Sequence, residues 1–219
     1  MQAIKAELVQ VVVFASAKGG SSKSTLAAHL GVAAEMAGDG PAVLLDMDPQ
    51  GSLAAWWNAR EASAPSFSPA SLAELPERLS ALAEAGYQLA IIDTPPAVTS
   101  AIRAVVERAD LVVIPVRPSP HDLRSVGATV EIAREAKRPF VFVVTQAKAG
   151  ALLTPQAMGA LSEHGRVSPT LMHDRVSYAA SMVDGRTVQE TDPRGPAASE
   201  MTALWQFVKA RLHEITKDR

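Results

Sequence analysis

At 219 residues the chain is long enough for one sizeable core, and a mix of 47% hydrophobic with 20% charged residues is ordinary for a soluble globular domain. Zero cysteines exclude disulfides, thiolate nucleophiles and cysteine-held zinc or iron–sulfur centres. The net charge of −2 hides an asymmetry, −5 over residues 1–110 and +3 over 111–219; no apolar run approaches the roughly 18 residues that span a bilayer and Met1 to Lys5 lacks a secretory-leader pattern, so a cytoplasmic location is expected.

Leu8 to Phe14, with Val11-Val12-Val13 at its centre, reads as a buried strand. It enters Ala17-Lys18-Gly19-Gly20-Ser21-Ser22-Lys23-Ser24-Thr25, and Leu26, Ala27, Leu30 and Val32 then mark a helix. A phosphate needs backbone N–H donors at close range, so small residues are required at the tightest positions. The helix N-terminus adds orphan donors and a partial positive charge. In this setting Lys23 can reach terminal phosphates as a point charge, and the Ser24 hydroxyl suits a Mg²⁺ ion. The spacing G-x-x-x-x-G-K-[ST] is not met, because Ala17 and Ser22 occupy its glycine positions.

Ala42 to Leu45 is a second apolar strand, ending in Asp46-Met47-Asp48-Pro49-Gln50-Gly51; carboxylates at a strand's C-terminal end lie where α/β sheets place chemistry. Leu53 to Arg60 reads as a helix carrying Trp56-Trp57, side chains expected in or near the core, with a partner surface as the alternative. Glu61 to Pro69 is expected as a loop. Leu72, Leu75, Leu79 and Leu82 make an amphipathic helix over Ser71 to Ala85, closed by Gly86. Tyr87 to Ile92 repeats the strand pattern and ends in Asp93, followed by Thr94-Pro95-Pro96.

A helix over Thr99 to Arg108 leads to the strand Leu111 to Val116, and Arg117 to Gly127 forms a loop and helix start in which His121 reads as a cap or surface residue. Phe140 to Gln146 is a β-rich run. Thr145-Gln146-Ala147-Lys148 lacks the aspartate with which N/T-K-x-D sequences read guanine, which favours adenine. Leu152 to His164 reads as a helix, Val167 to Met172 as a last short strand, and Ala198 to Ile215 as a closing helix with Met201, Leu204, Trp205, Val208, Leu212 and Ile215 on one face, expected to dock on the core. The alternation predicts one α/β domain over residues 1–219, three-layered, with a mainly parallel twisted sheet, helices on both faces and the site at the C-terminal strand edge.

The loop K-G-G-x-x-K-[ST], here Lys18 to Ser24, resembles the deviant Walker A motif of the ParA/MinD group of P-loop ATPases; Ser22 stands where glycine is commoner. Asp46 to Gly51 resembles the group's D-x-D-P-Q-G segment, Ile91-Ile92-Asp93 its Walker B strand, and Arg175 to Val188 the R-x-x-[YF]-x-x-[AS]…G-x-[ST]-V segment of ParA proteins. The chain thus resembles the small type of ParA partition ATPase, with no room before residue 8 for a helix-turn-helix domain. The resemblance implies Lys18 to Thr25 as the nucleotide-binding loop, Lys18, Lys23 and Asp48 as catalytic residues, and Ser24, Asp46 and Asp93 around the metal, with Asp46 serving the metal or the loop. It implies ATP and Mg²⁺ as cofactors, slow ATP hydrolysis, and an ATP-dependent homodimer in which Lys18 reaches the other subunit's nucleotide. It further implies non-specific binding to nucleoid DNA, for which Arg175, Arg186, Arg166 and Lys148 are the candidates, and a ParB-like or cargo-adaptor protein that stimulates turnover. A MinD-like membrane-cycling ATPase, a metabolic P-loop synthetase and a catalytically impaired scaffold stay open as alternatives.

Overall fold

The computed structural model describes residues 9–217; expectations falling on Met1 to Leu8, Asp218 and Arg219 lie outside the described residues. Seven strands form one path in the order β3-β2-β4-β1-β5-β6-β7, with β8 beside β6, and every pairing is parallel. The strands are β1 (Gln10–Phe14), β2 (Ala42–Asp46), β3 (Ser66–Phe67), β4 (Leu89–Asp93), β5 (Leu111–Val116), β6 (Phe140–Ala147), β7 (Arg166–Val167) and β8 (Met172–His173). Central β1 lies between β4 and β5, so the chain departs from it in both directions and leaves a crevice at its C-terminal end.

Continuous Val, Leu and Ile runs suit strands covered on both faces. Successive side chains point to opposite sides, and the core divides accordingly. Val12, Phe14, Leu44 and Ile91 join one cluster with α1 (Lys23–Met36), α2 (Ser52–Asn58) and α9 (Pro196–Lys217). Val11, Val13, Leu45 and Ile92 join the other with α3 (Leu75–Glu84), α4 (Ser100–Val106), α5 (Pro120–Glu135) and α6 (Leu153–Ser162). Gly31 lets α1 approach β2, because a Cβ there would lie 2.8 Å from Leu44 Cδ2.

Several expected bounds shift. The helix expected from Ser71 begins at Leu75, leaving Leu72 exposed, since Glu74 turns its carboxylate back to Ser71 N and Oγ. The expected strand 167–172 is two short strands, β7 and β8, because Ser168 leaves the sheet after its amide bonds Phe142 O at 2.8 Å and its hydroxyl donates to Thr170 O. The expected loop 61–69 contains β3. Trp56 is buried, its indole N–H donating to Arg186 O at 3.0 Å, and Trp57 is half-buried against Phe67; both follow the core reading.

The α9 face docks as its spacing predicts, with Met201, Leu204, Trp205, Val208 and Leu212 buried on the α1 side and Ile215 packed partly against them. Asp39 fixes its register, accepting from Trp205 Nε1 at 2.8 Å and Lys209 Nζ at 2.5 Å. Between them two short helices, α7 (Val176–Ser181) and α8 (Val188–Thr191), reach α1 through His29. His29 Nδ1 donates to Thr25 O at 2.8 Å and Nε2 accepts from Val188 N at 3.3 Å, so the ring is neutral and both nitrogens are used. Burial pushes its pKa down to about 4.

An imidazole whose pKa falls on folding binds its proton first in the unfolded chain. Its contribution to stability is therefore complete above about pH 6.5 and drains away as the pH falls toward 4, by roughly 3 kcal/mol. Urea unfolding at about pH 7.5 and about pH 4.5 should show this loss, and His29→Gln should lose less stability than the wild type between the same two conditions.

Candidate functional site

The glycine-rich loop and the strand-end carboxylates of the sequence reading gather at the C-terminal ends of β1, β2 and β4. The chain leaving β1 is held from three directions before it reaches α1. Thr94 Oγ1 donates to Phe14 O at 2.8 Å, Ala17 N donates to Thr129 Oγ1 at 3.0 Å, and Thr145 Oγ1 donates to Ser21 O at 3.1 Å. Gln146 Nε2 donates to Gly20 O at 2.7 Å and to Ser22 Oγ at 3.0 Å. The carbonyls of Gly20 and Ser21 are thereby taken up by side chains at the end of β6. The amides of Gly19, Gly20, Ser21 and Ser22 have no hydrogen-bond partner among the described residues, which suits a cradle for an oxyanion.

Gly20 and Ser22 both take left-handed backbone, at φ 72°. That conformation explains why glycine is commoner at the second position, since a Cβ there is strained. Arg117, half-exposed, lies over the loop, with Nη1 3.6 Å from where a Cβ on Gly20 would sit. Its Nε and Nη2 bond Asp122 Oδ1 at 3.1 and 3.0 Å.

Lys23 is only 7% exposed, and burial lowers its pKa against the opposing pull of Asp93 and Asp48. Ser24 Oγ donates to Asp93 Oδ2 in a short bond. Asp93 is fully buried and its Oδ1 has no hydrogen-bond partner among the described residues. Burial raises its pKa to about 7, and Asp46 and Asp48 add to the rise while Ser24 and Lys23 oppose it. An orphaned carboxylate oxygen beside a serine hydroxyl and a buried ammonium fits a site for a hydrated divalent cation on a phosphate.

Asp46 pairs in register with Asp93 across β2 and β4. Its Oδ1 accepts from Asp48 N at 3.0 Å and its Oδ2 from Ala54 N at 2.9 Å. Both of its oxygens are thus bonded to amides, one in the turn that carries Asp48 and one in α2. Asp48 is half-buried, and its Oδ1 accepts from Gln50 N at 2.9 Å. A cavity of about 200 Å³ opens beside it, walled by Leu72, Thr94, Pro95 and Ile102. Lys18 is half-buried, bonds Ser16 Oγ through its backbone at 3.3 Å, and forms no ion pair among the described residues. Thr25 serves α1, its carbonyl receiving His29.

The four basic residues expected at DNA do not form one cluster, although Asp174 N bonds Ala147 O at 3.0 Å and so sets Lys148 and Arg175 on neighbouring segments. Arg175 bonds Glu200 at 2.6 Å and Arg166 bonds Glu214 at 2.8 Å, at opposite ends of α9 and roughly 21 Å apart along its axis. Arg186 pairs with Asp184 at 2.6 Å. Lys148, exposed just after β6, has no ion pair among the described residues. Each arginine sits near a carboxylate that the linear sequence places 2 to 48 residues away, so a basic count over the C-terminal half overstates the free positive charge.

Sequence reading missed Thr129, Thr145, Gln146 and Arg117. The first three touch the loop across separations of 112, 124 and 126 residues, and no local pattern marks such contacts.

A family model described as the CobQ/CobB/MinD/ParA nucleotide binding domain matches residues 12–188. The chain is 43% identical over 126 residues to maintenance of carboxysome distribution protein A of Gloeobacter kilaueensis, an alignment covering 57% of this chain and 56% of that protein. It is 28% identical to the chromosome-partitioning ATPase Soj of Thermus thermophilus, over 94% of this chain and 98% of that one. Among solved structures, the ATP complex of a Cyanothece McdA variant superposes with a TM-score of 0.77 at 21% identity, covering 94% and 97% of the two chains.

Because folding raises the pKa of Asp93 from 3.8 to about 7, the folded state holds a proton that the unfolded chain has released, and the stability it contributes is lost as the pH rises through that window. Asp93→Asn should therefore raise the melting temperature of the protein without added nucleotide at about pH 8, by an amount corresponding to on the order of 2–4 kcal/mol, and bring no gain near pH 4. Thermal denaturation at the two pH values checks it.

Proposed function

Because the chain belongs to the CobQ/CobB/MinD/ParA family of nucleotide-binding domains, we propose that it is a ParA-type ATPase that closes on Mg·ATP into a homodimer and positions a large cargo. The observation that carries this reading is the meeting of the unpartnered amides of Gly19 to Ser22, buried Lys23, and the Ser24–Asp93 pair in one crevice. Bound Mg·ATP supplies the phosphoanhydride bond to be hydrolysed and the charge that drives closure.

The chain's own groups divide the work. The amides of Gly19 to Ser22 and the Lys23 ammonium neutralise phosphate oxygens, and partial burial strengthens that attraction relative to water. Ser24 and Asp93 would hold the cation that accompanies the triphosphate, the unbonded Asp93 oxygen offering it a carboxylate donor. Asp48 orients the attacking water, on a loop braced by Asp46 through Asp48 N and Ala54 N. Lys18, free of any intrachain ion pair among the described residues, extends to the phosphates held by a second copy. That trans contact makes closure depend on the nucleotide, and hydrolysis stays slow until a partner protein orders Asp48 or adds a cation.

In this reading non-specific DNA binding belongs to the dimer, which doubles whatever cationic surface one subunit offers. Arg175, Arg166 and Arg186 are each paired with a carboxylate, Glu214 being shared between Arg166 and Arg211, so a monomer is expected to bind DNA poorly. The apolar face of α9 is buried on the core, which counts against a MinD-like lipid contact through that helix.

Lys18→Ala should keep most of its ATP affinity and stay monomeric with Mg·ATP in light scattering, whereas the wild type doubles its mass; an ATP-dependent dimer in the variant removes the trans role. Asp48→Ala should bind ATP and dimerise yet lose turnover at least roughly a hundredfold, as measured by phosphate release. Retention of the wild type on duplex DNA of arbitrary sequence should require ATP, with a log–log salt slope of about −0.9 per phosphate contact. Retention on anionic vesicles without retention on DNA overturns the DNA reading.

A further inference from the structure

Two residues of this chain other than glycine hold left-handed backbone and touch each other. Ser22 has φ 72° and Gln146 has φ 52°, and Gln146 Nε2 lies 3.0 Å from Ser22 Oγ. Each conformation costs on the order of 1 kcal/mol for a residue with a Cβ, and such strain persists only where the surroundings enforce it.

At Gln146 the enforcement is visible. The ladder between β6 and β8 shifts register between Thr145 and Ala147, so Gln146 sits in a bulge. A bulge re-aims one side chain out of the strand alternation. Here it swings the carboxamide toward the glycine-rich loop, 124 residues away, while Thr145 beside it holds Ser21 O.

Ser22 shows the complementary oddity. It is the N-cap of α1, a position that serine favours because its hydroxyl accepts from the first helical amides, and it makes no such cap bond. Its hydroxyl is instead committed to Gln146. The same carboxamide nitrogen takes Gly20 O at 2.7 Å, so one side chain fixes both left-handed residues of the loop.

We infer that Gln146 is a positioning residue that allows Ser22 to serve where the loop otherwise calls for glycine: its carboxamide holds the serine in left-handed backbone and keeps the amides of Gly19 to Ser22 facing the phosphates. The Thr145-Gln146 pair at the end of β6 thus acts on the phosphate loop. The inference rests on the nucleotide reading of that loop.

The test is a double-mutant cycle read by titration with Mg·ATP in a calorimeter. Gln146→Asn removes reach without adding strain, because asparagine tolerates left-handed backbone, and Gln146→Ala removes the carboxamide altogether. Either should weaken Mg·ATP binding roughly three- to tenfold, the worth of the hydrogen bonds lost. Ser22→Gly alone should bind at least as tightly as the wild type. In the Ser22→Gly background the same changes at Gln146 should cost less than about twofold, because glycine needs no restraint. Losses of equal size in both backgrounds, or none in either, overturn the inference. Melting temperatures of all variants show whether a loss comes from unfolding, and rescue by Ser22→Gly separates a loop-positioning role from general damage to β6. Failure of the wild type itself to bind Mg·ATP defeats the nucleotide reading, and the inference with it, and is recognised by the indifference of every variant.

Discussion

A carboxylate buried at the end of β4 is the constraint around which the site is built. Asp93 has no solvent exposure and, among the described residues, one oxygen without a partner, and its charge is met by a serine hydroxyl and a lysine that is itself nearly buried. Ordinary packing would not leave such a group, because an uncompensated buried carboxylate costs several kcal/mol and escapes by keeping its proton. The sheet makes the arrangement unavoidable. Asp46 and Asp93 are register neighbours on parallel strands, so the carboxylate of Asp46 adds to the cost of ionising Asp93.

The stability that the site forgoes is recovered in the layers around it. Both faces of the sheet are filled, and α9 clamps α1 from outside through a continuous apolar face and the Asp39 contacts to Trp205 and Lys209. His29, neutral and doubly bonded inside α1, ties the helix that opens at Lys23 to the α7–α8 segment. The helix presenting the lysine is therefore anchored along its length, which lets its N-terminal loop carry strain at Gly20 and Ser22 without unravelling.

The loop is positioned by residues far away in the chain. Thr94, Thr129, Thr145 and Gln146 come from the ends of β4, β5's following helix and β6, and each takes one backbone group. Side chains recruited this way fix where the amides point, and direction is what an anion site requires. The basic residues of the C-terminal half follow the opposite course, with three arginines drawn into ion pairs with Glu200, Glu214 and Asp184.

The order of the long strands and main helices, the glycine-rich turn after β1 and the two carboxylate-ended strands were legible in the linear chain, because hydrophobic period and strand-end carboxylates are local features that repeat wherever this architecture forms. Leu72's exposure and the division of 167–172 into two strands were not, since Glu74 and Ser168 redirect the backbone through bonds that no hydrophobic pattern encodes. Composition likewise gave the sign of the C-terminal half and missed its pairing. Only the tertiary structure decided that Asp46 spends both oxygens on amides, that Ser22 adopts glycine's conformation, and that Gln146 leaves its strand to meet it. The first depends on how the chain turns within eight residues of Asp46 and the last two on groups that meet across 124 residues; a sequence records the groups but not their meeting.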